Sequence, residues 1–227
     1  MSTILDIVSG TIIGGLVLLL TLTVTDTGTR NFMNYNADAI VQNQMAWSAE
    51  VIEYDLRKMG FGIPEHLQST IIQIGTPSHL KFLSHLNLTV KYDGATTFDN
   101  IPDTIEYQIL PADTINFPDT TVVMFKVMKT VKISPNYSKT QMIGKIGNSD
   151  VFRYLDQVGN PVPVIMATRM VEVTIMAFSR DVILSPELVS NKLKGINNKE
   201  IRRRELLELL RPSFWRQTRQ VSKNLRR

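Results

Sequence analysis

The chain opens with a long apolar run. No charged residue lies between Asp6 and Asp26, so nineteen consecutive positions are uncharged. At about 1.5 Å per residue, these positions form a helix of roughly 29 Å, close to the ~30 Å thickness of the hydrocarbon core of a bilayer. The run lacks the basic start, the short apolar core and the A-x-A-like exit of a secretory signal. It therefore predicts one transmembrane span, with a buried core helix as the alternative.

The next segment, from Asn31 to Met59, has apolar residues at three- and four-residue steps, which is typical of an amphipathic helix. The positions predicted to share one face are Met33, Ala37, Val41, Met45, Ser48, Ile52, Leu56 and Met59. The intervening T-D-T-G-T at 25–29 predicts a loosened stretch, because Thr is β-branched and Gly is entropically costly in a helix. Gly60 and Pro64 predict the end of the helix. The first quarter of the chain is thus predicted to be one long helix.

The middle of the chain alternates between apolar and polar residues and is rich in Val, Ile, Thr, Phe and Tyr, which indicates strands. The predicted strands are 79–84, 87–92, 103–110, 121–134, 150–155 and 169–179. Asp-Gly, Gly-Asn and Pro turns between them are typical of hairpins. One long helix followed by strands predicts an α+β fold, in which the amphipathic half-helix packs on an antiparallel β-sheet.

The predicted organisation has four parts. They are the transmembrane half of the N-terminal helix (1–30), the amphipathic half-helix (31–63), the antiparallel β-sheet globular domain (64–185) and a basic C-terminal helical tail (186–227). The net charge of +4 is unevenly distributed, since residues 199–227 hold ten Lys or Arg and three Glu. The tail therefore carries +7 and the rest of the chain −3.

The tail has apolar residues at helical spacing on both sides of Pro212, which predicts two short basic amphipathic helices. The candidate partner-contact residues are Arg202, Arg203, Arg204, Phe214 and Trp215. The pattern leaves three alternatives: docking on the chain's own domain, contact with an acidic protein surface, and binding to an anionic lipid. Nucleic acid is an unlikely partner.

Catalytic and metal-binding signatures are missing from the sequence. The chain has no Cys, and G-x-S-x-G, H-E-x-x-H, G-x-x-x-x-G-K-[ST] and G-x-G-x-x-G do not occur. His79 and His85 flank one strand, and Asp93, Asp99 and Asp103 lie near a loop without an EF-hand pattern. Both sets are interpreted as structural. No catalytic residue, cofactor or metal is predicted, and the protein is not expected to be an enzyme.

The start of the chain resembles a known family. Read from Ser2, S-T-I-L-D is similar to the F-T-L-I-E start of mature type IV pilins and type II secretion pseudopilins, with Asp6 at the position of the family's glutamate. The long helix, E-Y-D-L-R-K-M-G-F-G-I-P, T-I-E-Y-Q-I, F-R-Y-L-D-Q-V-G-N-P-V and V-E-V-T-I-M-A-F-S follow in order. Together they resemble the larger minor pilins and the J-type pseudopilins over residues 2–180.

The resemblance implies a structural subunit of a type IV pilus or of a type II secretion-like filament. Its partners would be the inner membrane and other pilin-like subunits, which its N-terminal helix would contact. Ser2 and Asp6 become candidate assembly residues, because the family's acid meets the N-terminal amine of a neighbouring subunit. From the residues alone, the alternative for Asp6 is simple hydration at the membrane edge.

The resemblance also implies a location: a single-pass protein of the bacterial inner membrane, with the N terminus inside. The globular domain would then lie in the periplasm or on an extracellular filament. Family prepilins carry a short basic leader that ends in Gly, and Met1 stands at that position. Two alternatives remain: the natural chain begins earlier, or the protein bypasses the leader peptidase and ordinary removal of Met1 exposes the Ser2 amine. The alternative function is a membrane-anchored binding module that does not polymerise and holds an anionic partner with its basic tail.

Overall fold

The first element is one continuous helix that begins near the N terminus. The computed structural model describes residues 2–86, 88–90, 96–98, 101–116, 120–133, 137–178, 182, 185–210, 214–221 and 225. Helix α1 spans Ser2–Arg57, as the apolar and amphipathic patterns predict. By their internal contacts, the residues form two units, Met1–Gln42 and Asn43–Arg227.

The T-D-T-G-T stretch is helical, so the prediction that the helix loosens there is wrong. Thr27 Oγ1 donates a hydrogen bond to the Thr23 carbonyl oxygen at 2.8 Å, and Thr29 Oγ1 donates to the Thr25 carbonyl oxygen at 2.9 Å. Bonding to the preceding turn lets a threonine hydroxyl remain in a helix, in spite of its β-branched side chain. An ion pair of 2.9 Å between Arg30 and Asp26 also links successive turns.

The end of α1 is fixed by glycine, as predicted. Gly60 has a φ of 72°, the left-handed conformation that commonly ends a helix, and Gly62 has a φ of 69°. The Gly60 amide donates to the Leu83 carbonyl oxygen at 2.9 Å, and Ser84 Oγ donates to the Lys58 carbonyl oxygen at 2.8 Å. The chain therefore leaves the helix in direct contact with a strand.

Antiparallel strands and two short helices follow α1. The strands are β1 (Ile72–Thr76), β2 (His79–Ser84), β3 (Leu88–Val90), β4 (Thr96–Phe98), β5 (Asp103–Asn116), β6 (Thr121–Ile133), β7 (Tyr137–Ile146), β8 (Phe152–Leu155), β9 (Met170–Ala177) and β10 (Phe214–Val221). Between β9 and β10 lie α2 (Pro186–Lys194) and α3 (Lys199–Leu210). The predicted α+β class is confirmed, with a helix of 56 residues and an antiparallel sheet of five strands beside a second sheet.

The strands form three sheets in the described part of the chain. Their orders are β1-β2-β5-β6-β7, β10-β9-β8 and β3-β4. Strands β2, β6, β8 and β9 fall within predicted segments, β5 begins as predicted but continues to Asn116, and β1, β4, β7 and β10 were not predicted. Segment 87–92 is described only at β3. The two larger sheets meet where the Tyr154 hydroxyl donates to the Thr76 carbonyl oxygen at 3.0 Å, and where the Gly147 amide donates to the Met176 carbonyl oxygen at 2.7 Å.

The core lies between the second half of α1 and the sheets. The buried positions of the helix include Met45, Ser48, Ile52 and Leu56, and Met59 is buried just after the helix ends; all of them were predicted. Met33, predicted to share that face, is instead 64 % exposed. Strand β5 buries Ile105, Tyr107 and Ile109 on alternate positions, so one face of the five-stranded sheet meets the core. Each large apolar side chain buried here stabilises the fold by about 1.5–3 kcal/mol.

The tail differs from its prediction. Residues 199–210 form the helix α3, but residues 214–221 form the strand β10, so the second basic helix predicted there is wrong. All eight residues of β10 pair with β9, from Phe214 opposite Ala177 to Val221 opposite Met170. This part of the tail therefore belongs to the folded domain.

Gly62→Ala is expected to lower the free energy of unfolding by about 1–3 kcal/mol, because a left-handed φ is strained for alanine and overpacking adds to that cost. The new Cβ would lie 3.0 Å from the Cβ of His85. Thermal unfolding of the detergent-solubilised full chain, followed by circular dichroism, measures the change.

The matched control is Gly28→Ala, since no atom of the described chain lies within 4 Å of a Cβ at that helical position. Alanine is the better helix former, so this variant should be as stable as the wild type or slightly more stable. A Gly62→Ala midpoint equal to that of the wild type would contradict the geometry at the end of α1.

Candidate functional site

The apolar segment, residues 7–25 of α1, is exposed along its whole length. Each of its residues has the accessibility of an exposed side chain, so no described residue covers it. By length and composition, the helix can cross a membrane. Of the predicted transmembrane span, the structure confirms a helix that is compatible with single-pass membrane anchoring.

Small residues give this segment room for a close neighbour. At Gly10, Gly14 and Gly15, no atom of the described chain lies within 4 Å of where a Cβ would be. Glycine at such spacings lets the backbones of two membrane helices approach each other. The helix therefore has both the apolar surface that lipid requires and a site for close packing against another helix.

The candidate assembly residues Ser2 and Asp6 lie at the start of this helix. Ser2 begins α1, and Asp6 is exposed just before the apolar segment. Asp6 forms no ion pair within the described part of the chain. Its charge therefore has no partner in the protomer among these residues, and its role in assembly stays a prediction.

A buried acid holds the second half of α1 on the five-stranded sheet. Asp55, 2 % exposed, accepts a hydrogen bond of 2.5 Å from the Tyr107 hydroxyl and forms an ion pair with Lys129. Tyr107 and Lys129 are directly opposite each other on β5 and β6. Burial, together with the charge of Asp55, raises the pKa of the Tyr107 hydroxyl well above its ordinary value. The tyrosine therefore remains a proton donor to Asp55.

A second acid joins α1 to the smaller sheet. Glu53 Oε1 lies 2.8 Å from Arg216 Nη2 and accepts a hydrogen bond of 2.8 Å from the Thr218 hydroxyl. Arg216 and Thr218 are on the same side of β10, two residues apart. The C-terminal strand thus neutralises an acid of the helix.

The other side of β10 carries a further ion pair. Arg219 Nε lies 2.6 Å from Glu172 on β9, and Arg153 on β8 lies 3.8 Å from the same carboxylate. Burial would raise the pKa of Glu172, but hydrogen bonds from Arg219 and Gln217 and the nearby positive charges hold it below its ordinary value. Glu172 is therefore ionised at neutral pH, and it links all three strands of the smaller sheet.

The five candidate contact residues lie on two different elements. Arg202, Arg203 and Arg204 are on α3, where the Arg202 guanidinium donates to the Ile196 carbonyl oxygen at 3.0 Å. Phe214 and Trp215 are on β10, with Phe214 half-buried and Trp215 60 % exposed on the opposite side. Their contact with a partner stays a prediction.

Two of the residues interpreted as structural, His79 and Asp103, have protein partners. His79 Nε2 lies 2.8 Å from Glu106, and the Leu86 amide donates to Asp103 at 2.6 Å. Burial would raise the pKa of Glu106, but hydrogen bonds from His79 and Gln108 hold it below its ordinary value. Asp93 and Asp99 lie outside the described residues. Within the described part of the chain, no group of three His, Asp or Glu side chains is arranged to hold a metal.

Sequence reasoning missed the acids that hold the helix. Glu53 and Asp55 flank the buried face of α1, and their partners lie far along the chain, in β5, β6 and β10. The available signal was the presence of two acids between the core residues Ile52 and Leu56. Comparison with known proteins adds no assignment, since no family model, curated protein or solved structure matches the chain.

Arg216→Met is expected to lower the free energy of unfolding by about 1–3 kcal/mol, because Glu53 would stay buried with only the Thr218 hydroxyl as its partner. Thermal unfolding of the full chain in detergent measures the effect. Arg204→Met is the matched control, since Arg204 is exposed and has no ion pair among the described residues. If both variants lost the same free energy of unfolding, the contact between Arg216 on β10 and Glu53 on α1 would not stabilise the fold.

Proposed function

We propose that the protein is a structural subunit, a minor pilin or pseudopilin, of a type IV pilus or type II secretion-like filament. The observation that carries the proposal is the combination within α1 of an exposed apolar segment and a half-helix fixed to an antiparallel sheet. A subunit of this kind needs a membrane-compatible helix for assembly and a folded domain that stays outside the lipid.

The helix is suited to contact both with lipid and with a neighbouring helix. Residues 7–25 fit a bilayer by length, and Gly10, Gly14 and Gly15 leave space for a neighbouring helix. In lipid, the hydrophobic effect does not draw helices together, so association depends on close packing and on polar contacts. The glycines allow the close packing.

Asp6 supplies the polar contact that association of helices in lipid also needs. A carboxylate at the edge of a bilayer is costly unless it is hydrated, protonated or paired. The positively charged partner that we propose is the Ser2 amine of a neighbouring subunit. Such a pair would be made only in the assembled state and would fix the axial offset between two helices.

The location follows from the same proposal. The protein would be a single-pass protein of the bacterial inner membrane, with its N terminus inside and its globular domain in the periplasm or on an extracellular filament. Other pilin-like subunits would be its partners within the membrane.

The second candidate is a membrane-anchored binding module that does not polymerise. It is favoured by Arg203 and Arg204 on α3, which are exposed and form no ion pair within the described residues. An acidic protein or an anionic lipid would be its partner. Only the filament subunit requires contact between apolar helices, so such contact separates the two candidates.

Single-cysteine crosslinking tests the proposal, because the chain has no cysteine of its own. Ile13→Cys, in the exposed apolar segment, is expected to form disulfides between copies or with cysteine-bearing partner subunits in native membranes. Val158→Cys, on an exposed loop, is the control and should give few crosslinks. Normal insertion of Ile13→Cys without any crosslink would favour the binding module.

Asp6→Ala, added to Ile13→Cys, should lower the crosslink yield about tenfold, the equivalent of a polar helix–helix contact of about 1–2 kcal/mol. Membrane fractionation should show normal or improved insertion, because a carboxylate has been removed from the edge of the apolar segment. Asp6→Glu keeps the charge and should retain most crosslinks. Wild-type yield in the alanine variant would exclude the role of the acid.

A further inference from the structure

A cavity of about 200 Å³ borders both of the larger sheets. Its lining includes Ile72, the first residue of β1, and Arg169, which directly precedes β9. A cavity of about 150 Å³ in a protein interior can hold benzene, so this one has room for a molecule of about eight non-hydrogen atoms. The chemistry of its walls therefore decides which molecule of that size would fit.

One wall of the cavity is apolar and is fixed to the five-stranded sheet. It includes Ile72 and Leu225, which are buried, and Ile165. Ile165 packs on the backbone of β1, since a Cβ at Gly75 would lie 2.2 Å from its Cδ1 atom. Such a wall is formed before any ligand arrives, and it suits a short hydrocarbon chain.

The polar side of the cavity includes a buried hydroxyl. Thr168 is 1 % exposed, and its Oγ1 atom makes no hydrogen bond with any residue that the structure describes. Its amide donates to the Ile165 carbonyl oxygen at 3.0 Å, which fixes the backbone that carries the hydroxyl. A buried hydroxyl without a partner is costly, and proteins normally satisfy it with the chain or with water. The Thr168 hydroxyl is therefore suited to pair with a polar atom inside the cavity.

A guanidinium directly follows that hydroxyl along the chain. Arg169 is half-buried, and its Nη1 atom donates to the Leu225 carbonyl oxygen at 2.5 Å. Its amide donates to the Leu155 carbonyl oxygen of β8 at 2.9 Å. Within the described ranges, Arg169 forms no ion pair, so its charge is not neutralised there. The N–H groups that remain suit a carboxylate, which binds a guanidinium through two parallel hydrogen bonds.

We propose that this cavity binds a small aliphatic carboxylate. Arg169 would hold the carboxylate, and the Thr168 hydroxyl would donate to one of its oxygens. The hydrocarbon chain would lie against Ile72, Ile165 and Leu225. An ordered water would satisfy Thr168 but would not neutralise Arg169, and a simple anion would leave the apolar wall without a partner.

Calorimetric titration of the detergent-solubilised full chain with sodium hexanoate tests the site, at neutral pH and constant ionic strength. Hexanoate matches the size of the cavity, and saturable binding with a dissociation constant of about 1 mM or below is expected. Acetate has the charge without the chain, and hexanamide has the chain without the charge. Each should bind at least about tenfold more weakly, and hexanamide also controls for partition into the detergent.

A peptide whose last residue is aliphatic presents the same chemistry at its C terminus. N-acetyl-leucine represents this source and is larger than hexanoate. Weaker binding of N-acetyl-leucine would assign the site to a free acid, and tighter binding would assign it to a peptide end. Either order supports a carboxylate site.

Thr168→Val separates ligand binding from a structural role. The variant should bind hexanoate about tenfold more weakly, because a hydrogen bond to the carboxylate is lost. Without ligand, its unfolding midpoint should equal that of the wild type or exceed it, since an unpartnered buried hydroxyl has been removed. Arg169→Met should also weaken binding about tenfold. Arg204→Met, at an exposed position, is the matched control and should leave binding unchanged.

Two results would overturn the proposal. The first is the lack of saturable binding of hexanoate, or equal affinity for hexanamide, which would indicate that the cavity holds only water. The second is a lower unfolding midpoint of ligand-free Thr168→Val, because the hydroxyl would then have a partner within the chain. The cavity lies in the unit Asn43–Arg227, so these results are independent of the Ile13→Cys crosslinks that test the proposed function.

Discussion

One buried carboxylate, Asp55, determines how the second half of α1 lies on the five-stranded sheet. Its charge is removed from water, and its hydrogen bond with Tyr107 and ion pair with Lys129 offset that cost. Loss of one partner from such a pair destabilises a protein by about 3–5 kcal/mol. Apolar packing alone tolerates rotation of a helix, but a directional contact does not. The pair therefore fixes which face of α1 is buried and which remains exposed.

The apolar segment follows a different constraint. No described residue of the chain covers residues 7–25, so the burial of these side chains depends on lipid or on other helices. Lipid satisfies the hydrophobic requirement without selecting a partner. Selection depends on features that lipid cannot satisfy, which here are the open glycine positions and the carboxylate of Asp6. In the proposed assembly, specificity would therefore come from the glycine positions and the acid, and not from the apolar surface itself.

The sequence predicted the parts of the fold that have a strong local pattern. The amphipathic half of the long helix and the first half of β5 have clear periodicity, and their burial repeats that pattern. The pattern of β10 was hidden, because the residues that it turns toward α1 include Arg216 and Thr218, which are polar. Their burial makes sense only once Glu53 is in place, 165 residues before Thr218. A pairing at that separation leaves no periodic signal.

The same pairing changes how the positive charge of the tail is interpreted. Arg216 and Arg219 on β10 neutralise Glu53 and Glu172 within the protomer. These arginines are therefore part of the folded domain and are not free to attract an anion. Among the described residues of the tail, Arg203 and Arg204 on α3 are exposed and have no ion pair. Since Arg216 and Arg219 are already paired within the protomer, the net charge of the tail overstates the charge that it can offer to an anionic partner.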